Sequence, residues 1–248
     1  MGNSYKLIAL DIDGTILPKN NQISSETKRL IATAREQGIE ITLSTGRHIN
    51  SIAETFAKEL NISFPMVTLN GGEVWTPSHE LLARTSFSNE NIVFLYELAK
   101  EYQADYLGFT NEGLFMKEQF PSDFNKHTWL KFVYFIENLS VLNTVWNILH
   151  ASENFTLTNS APINIEVNPR GVSKASGLKM ICEIMGINRS QVIAIGDGMN
   201  DMEAIQWAGL GIAMGNAPYE VQRAADFVTD TCENEGVAKA IEKVLGFC

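Results

Sequence analysis

Two places in this chain of 248 residues carry carboxylates at spacings that suit chemistry. Asp11 and Asp13 follow an apolar run and precede Gly14. In an extended segment, residues i and i+2 point the same way, so both carboxylates can reach one point, and Gly14 lets the chain turn directly after them. Asp197 and Asp201 lie in Gly-Asp-Gly-Met-Asn-Asp, residues 196–201, which also holds Asn200. Carboxylate oxygens suit a hard divalent cation, and Mg2+ usually takes one or two carboxylates plus phosphate oxygens. Thr45-Gly46, followed by Arg47, offers a hydroxyl and backbone N–H groups at a predicted helix start, a ready anion site. Lys174 adds a positive charge. Each piece also has a plainer reading. Asp-Gly is a turn, Asp201 a favourable charge at a helix start, Thr-Gly a cap, and Lys174 a solvated surface charge.

The elements that must position these residues follow from pattern. Residues 6–10, 40–44, 66–69 and 74–76 read as strands, with the Asn70-Gly71-Gly72 turn between the last two. A helix capped by Ser24 or Ser25 runs to Gln37, and Ile49, Ile52, Ala53, Phe56 and Leu60 keep helical spacing. From Ser173 the alternation returns. A helix runs to about Met185, then come strand 192–195, helix 200–207, strand 212–214, a helix after Pro218, a short run at 227–228 and a final helix to about Leu245. Strands separated by helices predict a parallel sheet, and ligands of such sheets bind at the carboxyl ends of the strands. The first, second and a late strand end in the Asp11, Thr45 and Asp197 segments, so these segments and Lys174 would face one crevice.

The middle reads differently. A helix capped by Ser88, runs at 105–110 and 113–117 in a hairpin pattern, a run at 132–136, a helix around 141–149 and runs at 155–158 and 163–167 suggest an α+β insert. The expected organisation is an α/β, Rossmann-like parallel-sheet core over 1–82 and 171–248, with an inserted α+β cap domain at 83–170. The aromatic residues of the insert, Phe109, Phe115, Phe120, Phe124, Trp129, Phe132, Tyr134 and Phe135, read as its own core rather than as a sugar-stacking platform.

Together the pieces fit one task. A phosphomonoester dianion at Asp11 and Asp197 would bring about four negative charges together, and like unit charges ~4 Å apart cost about 4 kcal/mol per pair at an effective dielectric of ~20. Mg2+ and Lys174 would offset most of this. A protonated Asp13 could donate to a leaving oxygen, which completes the needs of phosphoryl transfer.

Asp11-x-Asp13-Gly-Thr, Thr45-Gly46-Arg47, Lys174 and Gly196-Asp197-x-x-Asn200-Asp201 resemble, in order, the four motifs of the haloacid dehalogenase (HAD) superfamily. The wording is similar to its Cof-type sugar-phosphatase branch with a type IIB cap. The resemblance covers the core, with Asn70-Gly71, residues 171–175 and residues 211–217 also in the pattern. It implies a Mg2+-dependent phosphatase acting on small phosphorylated metabolites through an aspartyl-phosphate. Asp11 would be the nucleophile and Asp13 the general acid/base. Asp11, the Asp13 backbone carbonyl and Asp197 would hold the metal. Thr45, Gly46, Lys174 and Asn200 would hold the phosphate, with Asp201 and Arg47 supporting. Ser44 stands where Ala is usual. The insert is short for the branch, so no cap residue is assigned to substrate. Such a cap would close over the site and exclude water.

Composition bounds the alternatives. A net charge of -10 argues against nucleic acid and an anionic membrane as partners. No transmembrane-length apolar run and no signal peptide is read, and three cysteines without paired spacing argue against disulfides or zinc, so a cytoplasmic protein is expected. His48, His79, His127 and His150 show no ligand spacing. A phosphomutase of the related capped branch and a non-catalytic phosphate-binding module are the competing readings. The second would be expected to have lost a carboxylate, and all are present.

Overall fold

The computed structural model describes residues 5–50 and 54–246, so Ile52, Ala53, Cys248 and the first four residues, part of the stretch read as lacking a signal peptide, lie outside the described residues. The chain forms two units, one of residues up to Ala83 together with those from Lys174 onward, the other Arg84–Ser173.

The first unit begins with β1 (Leu7–Leu10), α1 (Ser25–Glu36), β2 (Glu40–Leu43), α2 (Glu54–Glu59), β3 (Met66–Thr68), β4 (Glu73–Trp75) and all but the last residue of β5 (Leu81–Arg84). The second unit holds α3 (Asn89–Glu101), β6 (Asp105–Thr110), β7 (Gly113–Met116), β8 (Trp129–Phe135), α4 (Leu139–Ala151), β9 (Phe155–Thr158) and β10 (Asn164–Pro169). The first resumes with α5 (Lys174–Met185), β11 (Val192–Gly196), α6 (Met202–Trp207), β12 (Leu210–Ala213), α7 (Tyr219–Ala224), β13 (Phe227–Val228) and α8 (Gly236–Leu245).

In the first unit a parallel sheet runs in the order β13-β12-β11-β1-β2. Every residue of β1 and β11 is buried, as expected of parallel strands covered on both faces. Ile8, Leu10, Ile41, Leu43, Ile193 and Ile195 pack with α1 and α8 on one face. Leu7, Ala9, Val192 and Ala194 pack with Ala175, Leu178 and Ile181 of α5 on the other. α1 is built as its sequence suggests. The Ser24 hydroxyl accepts the Thr27 N–H at 3.0 Å, and Thr27, Leu30, Ile31 and Ala34 form the buried stripe. β3 continues beyond β2, with the Thr45 N–H bonded to the Val67 carbonyl at 2.9 Å.

The second unit is an antiparallel sheet of order β7-β6-β8-β10-β9 with α3 and α4. Phe115, Phe120, Phe124, Trp129, Phe132 and Tyr134 belong to its core, as expected from sequence. Phe109 and Phe135 do not. Phe109 lies under the Lys131 ammonium and Phe135 is exposed, because β8 alternates and both fall on the side away from Phe132 and Tyr134. β8 starts at Trp129 rather than 132, since Lys131, which breaks the apolar pattern, is buried as an ion pair with Glu166 at 3.0 Å. β5 is missed by pattern because its residues are half-exposed and do not alternate.

α5 carries Lys174 as its first residue, so its seat on the sheet sets that side chain. The seat depends on Gly177, where an added Cβ would lie 2.5 Å from Val67 Cγ1 and 3.2 Å from Gly71 Cα. Alanine is about 1 kcal/mol better than glycine inside a helix. Gly177→Ala should nevertheless lower stability by about 1–3 kcal/mol through overpacking, measured by urea denaturation; a gain would refute the close approach.

Candidate active site

The strand ends bring most of the expected residues together. Asp11 follows β1, its N–H bonded to the Ile195 carbonyl at 3.1 Å, and its side chain is buried. The chain then wraps around one carbonyl: Ile12 accepts from Thr15, Ile16 and Leu17. Gly14 makes this possible with φ +76° and by proximity, since a Cβ there would lie 2.3 Å from Asp197 Oδ2. Asp197 follows β11. Thr15 donates its hydroxyl to Asp197 Oδ1 at 3.0 Å.

Lys174 lies 1% exposed between two carboxylates, donating to Asp11 Oδ1 at 2.6 Å and Asp201 Oδ1 at 2.7 Å. The other oxygen of Asp201 accepts the N–H groups of Asp197 at 3.2 Å and Gly198 at 2.9 Å. Asp201 therefore does more than charge a helix start: it shapes the loop that presents Asp197 and orients Lys174. Asn200 donates to Asn70 Oδ1 at 3.2 Å, and the Asn70 N–H bonds the Thr45 carbonyl at 3.0 Å. Thr45 is buried and its hydroxyl accepts the Arg47 N–H at 3.2 Å. Gly46 lies in the same bend, and a helical turn follows at residues 49–50. The Ser44 hydroxyl is buried without a partner among the described residues, so the Ala usual at this position would lose no hydrogen bond.

Asp13 departs from the expectation that it would meet Asp11 at one point. Its carboxylate is exposed and gripped by the Arg47 guanidinium at both oxygens, Nε to Oδ2 at 2.5 Å and Nη2 to Oδ1. The reason is local: β1 ends at Leu10, and beyond it the backbone is turning, so the two-residue alternation of a strand no longer applies. Carboxylate oxygens of Asp11, Asp197 and Asp201 lie within 4.8 Å of one another.

Three buried or half-buried carboxylates against one ammonium leave an excess of negative charge. Burial, with Asp201 and Asp197 adding to it against Lys174, pushes the Asp11 carboxyl up to about 8. Burial and then Asp201 push Asp197 up to about 6. Burial works against the Lys174 ammonium, but Asp11 and Asp201 outweigh it and hold its pKa above the ordinary range. Hard oxygen donors, uncompensated charge and the Gly14 cradle, which a Cβ would fill, fit a divalent cation.

Thr15 and Asn70, and also Asn216, whose amide reaches Asp197, went unassigned in sequence. Asn70 and Asn216 follow the ends of β3 and β12, and reading those strand ends as the others were read would have found them.

A parallel sheet with acidic loops at its carboxyl edge, a buried lysine between them and an inserted α+β unit defines a phosphoryl-transfer hydrolase of Rossmann-like type. The family profile of haloacid dehalogenase-like hydrolases matches residues 8–147 and 121–241, and the chain belongs to that family, in its Cof-type capped branch. It is 38% identical over 236 residues, 95% of this chain and 94% of the relative, to the 5-amino-6-(5-phospho-D-ribitylamino)uracil phosphatase YcsE of Bacillus subtilis. A haloacid dehalogenase-like hydrolase structure from Bacteroides thetaiotaomicron superposes with a TM-score of 0.81 at 31% identity, covering 97% and 99% of the two chains. A HAD subclass IIB sugar phosphatase at 24% identity shares the fold, TM-score 0.83 over 98% and 100%. The protein is a phosphomonoester hydrolase with a small phosphorylated substrate. No described helix is long and apolar enough to cross a membrane.

The raised carboxyls give a pH signature. In the folded chain Asp11 and Asp197 keep protons that the unfolded chain loses above 3.8. Their contribution to stability is full below that value and lost as pH rises through about 6 and about 8. Lys174, raised above 10.5, is charged throughout this window. In EDTA, the melting temperature should therefore fall between pH 4 and pH 8, about the span of these shifts. Added Mg2+ should flatten the fall. A metal-free protein that gains stability over this range would contradict the charge balance.

Proposed function

We propose that this phosphatase hydrolyses small phosphorylated metabolites, sugar or polyol phosphates among them, with Mg2+ and through an aspartyl-phosphate on Asp11. The observation that carries the reading is the buried Asp11 carboxylate with Oδ1 on Lys174, which leaves Oδ2 to attack. A divalent cation held by Asp11, the Asp13 carbonyl and Asp197 supplies, when bound, the positive charge that keeps Asp11 ionised and lets a phosphate dianion approach.

Asp11 attacks phosphorus as the bond from phosphorus to the leaving oxygen breaks, and Asp13 gives that oxygen a proton. Water then attacks the phosphorylated Asp11, Asp13 takes the proton back, and inorganic phosphate leaves with Asp11 restored. Thr45, Gly46, Lys174 and Asn200 hold the phosphate oxygens. Asp201 keeps Lys174 aimed at Asp11. Arg47, paired with Asp13, must release it for proton transfer, so Arg47 sets when Asp13 is available.

The YcsE phosphatase is named for a phosphorylated ribityl compound. At 38% identity over nearly the whole chain, that compound belongs in the first panel beside common sugar phosphates. Release of inorganic phosphate over this panel tests the reading. Asp11→Asn should abolish turnover, Asp13→Asn should lower kcat about 10²–10⁴-fold, and EDTA should stop the reaction until Mg2+ is restored. Turnover that survives both Asp11→Asn and EDTA sinks the proposal.

A further inference from the structure

Asn216 follows β12 in a loop whose backbone is pinned from three sides. The Met214 N–H bonds the Gly196 carbonyl and the Gly215 N–H bonds the Asp230 carbonyl, each at 3.0 Å. Gln222 donates to the carbonyls of Gly215 at 3.2 Å and Ala217 at 2.8 Å. Gly215 is needed for this approach, because a Cβ there would lie 2.9 Å from the Thr231 nitrogen. The loop is thus a rigid mount for one amide.

That amide uses all its groups. Its oxygen accepts the Cys232 N–H at 2.8 Å, which fixes which end is oxygen. Its nitrogen donates to the Gly14 carbonyl at 2.9 Å and to Asp197 Oδ2 at 3.1 Å. Asn216 therefore ties the turn after Asp13 to the carboxylate after β11. Asp197 then has a neutral donor on each oxygen, Thr15 on Oδ1 and Asn216 on Oδ2. Neutral donors fix a carboxylate's rotation without taking away its charge, and each oxygen keeps a lone pair for a cation.

We infer that Asn216 is a positioning residue that sets the Asp197 carboxylate for divalent-cation binding. The inference rests on the metal reading above. Its range of action is the ion, since the amide faces Asp197 and the Gly14 turn rather than Asp11 or Lys174.

The test titrates Mn2+ into metal-free protein and follows free Mn2+ by electron paramagnetic resonance, with no substrate present. Asn216→Ala removes the amide, and Asn216→Leu keeps its bulk without its donors. Gln222→Ala is the control, loosening the same loop through residues that make no hydrogen bond to Asp197. Both Asn216 variants should bind Mn2+ about 10-fold more weakly, with a much smaller change for Gln222→Ala, which keeps the amide. In turnover, the Asn216 variants should need more Mg2+ for half-maximal rate while kcat at saturating Mg2+ stays near that of the unsubstituted protein. Unchanged Mn2+ affinity in the Asn216 variants overturns the inference, and so does equal weakening by Gln222→Ala, which would mark a loop effect. An unsubstituted protein that binds no Mn2+ instead overturns the cation assignment of the preceding section, and this inference with it.

Discussion

The Lys174 ammonium, buried 2.6 Å from Asp11 and 2.7 Å from Asp201, joins three segments that are far apart in the chain. One follows β1, one opens α5 and one opens α6. An ammonium taken out of water is costly unless carboxylates surround it, and removing one partner of such a buried set typically costs about 3–5 kcal/mol. The arrangement is therefore stable only as a whole. The packing of α5 on β3 at Gly177 serves it, because any shift of the helix axis would carry Lys174 away from both oxygens.

The same set is left short of positive charge. Two of the carboxyls answer by holding protons above their usual range, and the structure answers by surrounding Asp197 with neutral donors. Glycines make room for this crowding. A side chain at Gly14 would strike Asp197, and one at Gly196 would lie 2.3 Å from Asp201 Cγ. The carboxylates can converge because the backbone beside them carries nothing, and the space they enclose has the donor chemistry of a hard divalent ion.

Asp13 lives under the opposite rule. It is exposed, paired with Arg47, and outside the cluster of Asp11, Asp197 and Asp201. Only Ile12 separates it from Asp11, yet one carboxylate is held by a buried lysine and the other by an arginine at the surface. In the proposed mechanism Asp11 is the nucleophile and needs a fixed position, whereas Asp13 gives and takes protons and needs access to a changing partner. The turn at Gly14 separates these requirements within one short segment.

The class of fold and the strand ends that carry Asp11, Thr45 and Asp197 were legible in the sequence. Both are local: strand and helix periods sit within short windows, and Asp11, Thr45 and Asp197 mark strand ends by their neighbours alone. The aromatic residues of the insert were legible as a core for the same reason, except Phe109 and Phe135, whose side of the sheet depends on register. Which side chains meet depends on the packing of the chain. Lys174 lies 163 residues from Asp11, and Asn216 lies 202 residues from Gly14. The end of β12 marks Asn216 in the chain, but not what its amide meets. Its partners exist only once β1, β11 and β12 lie side by side, because hydrogen bonds of about 3 Å are set by the packing of the sheet and not by the order of residues along it.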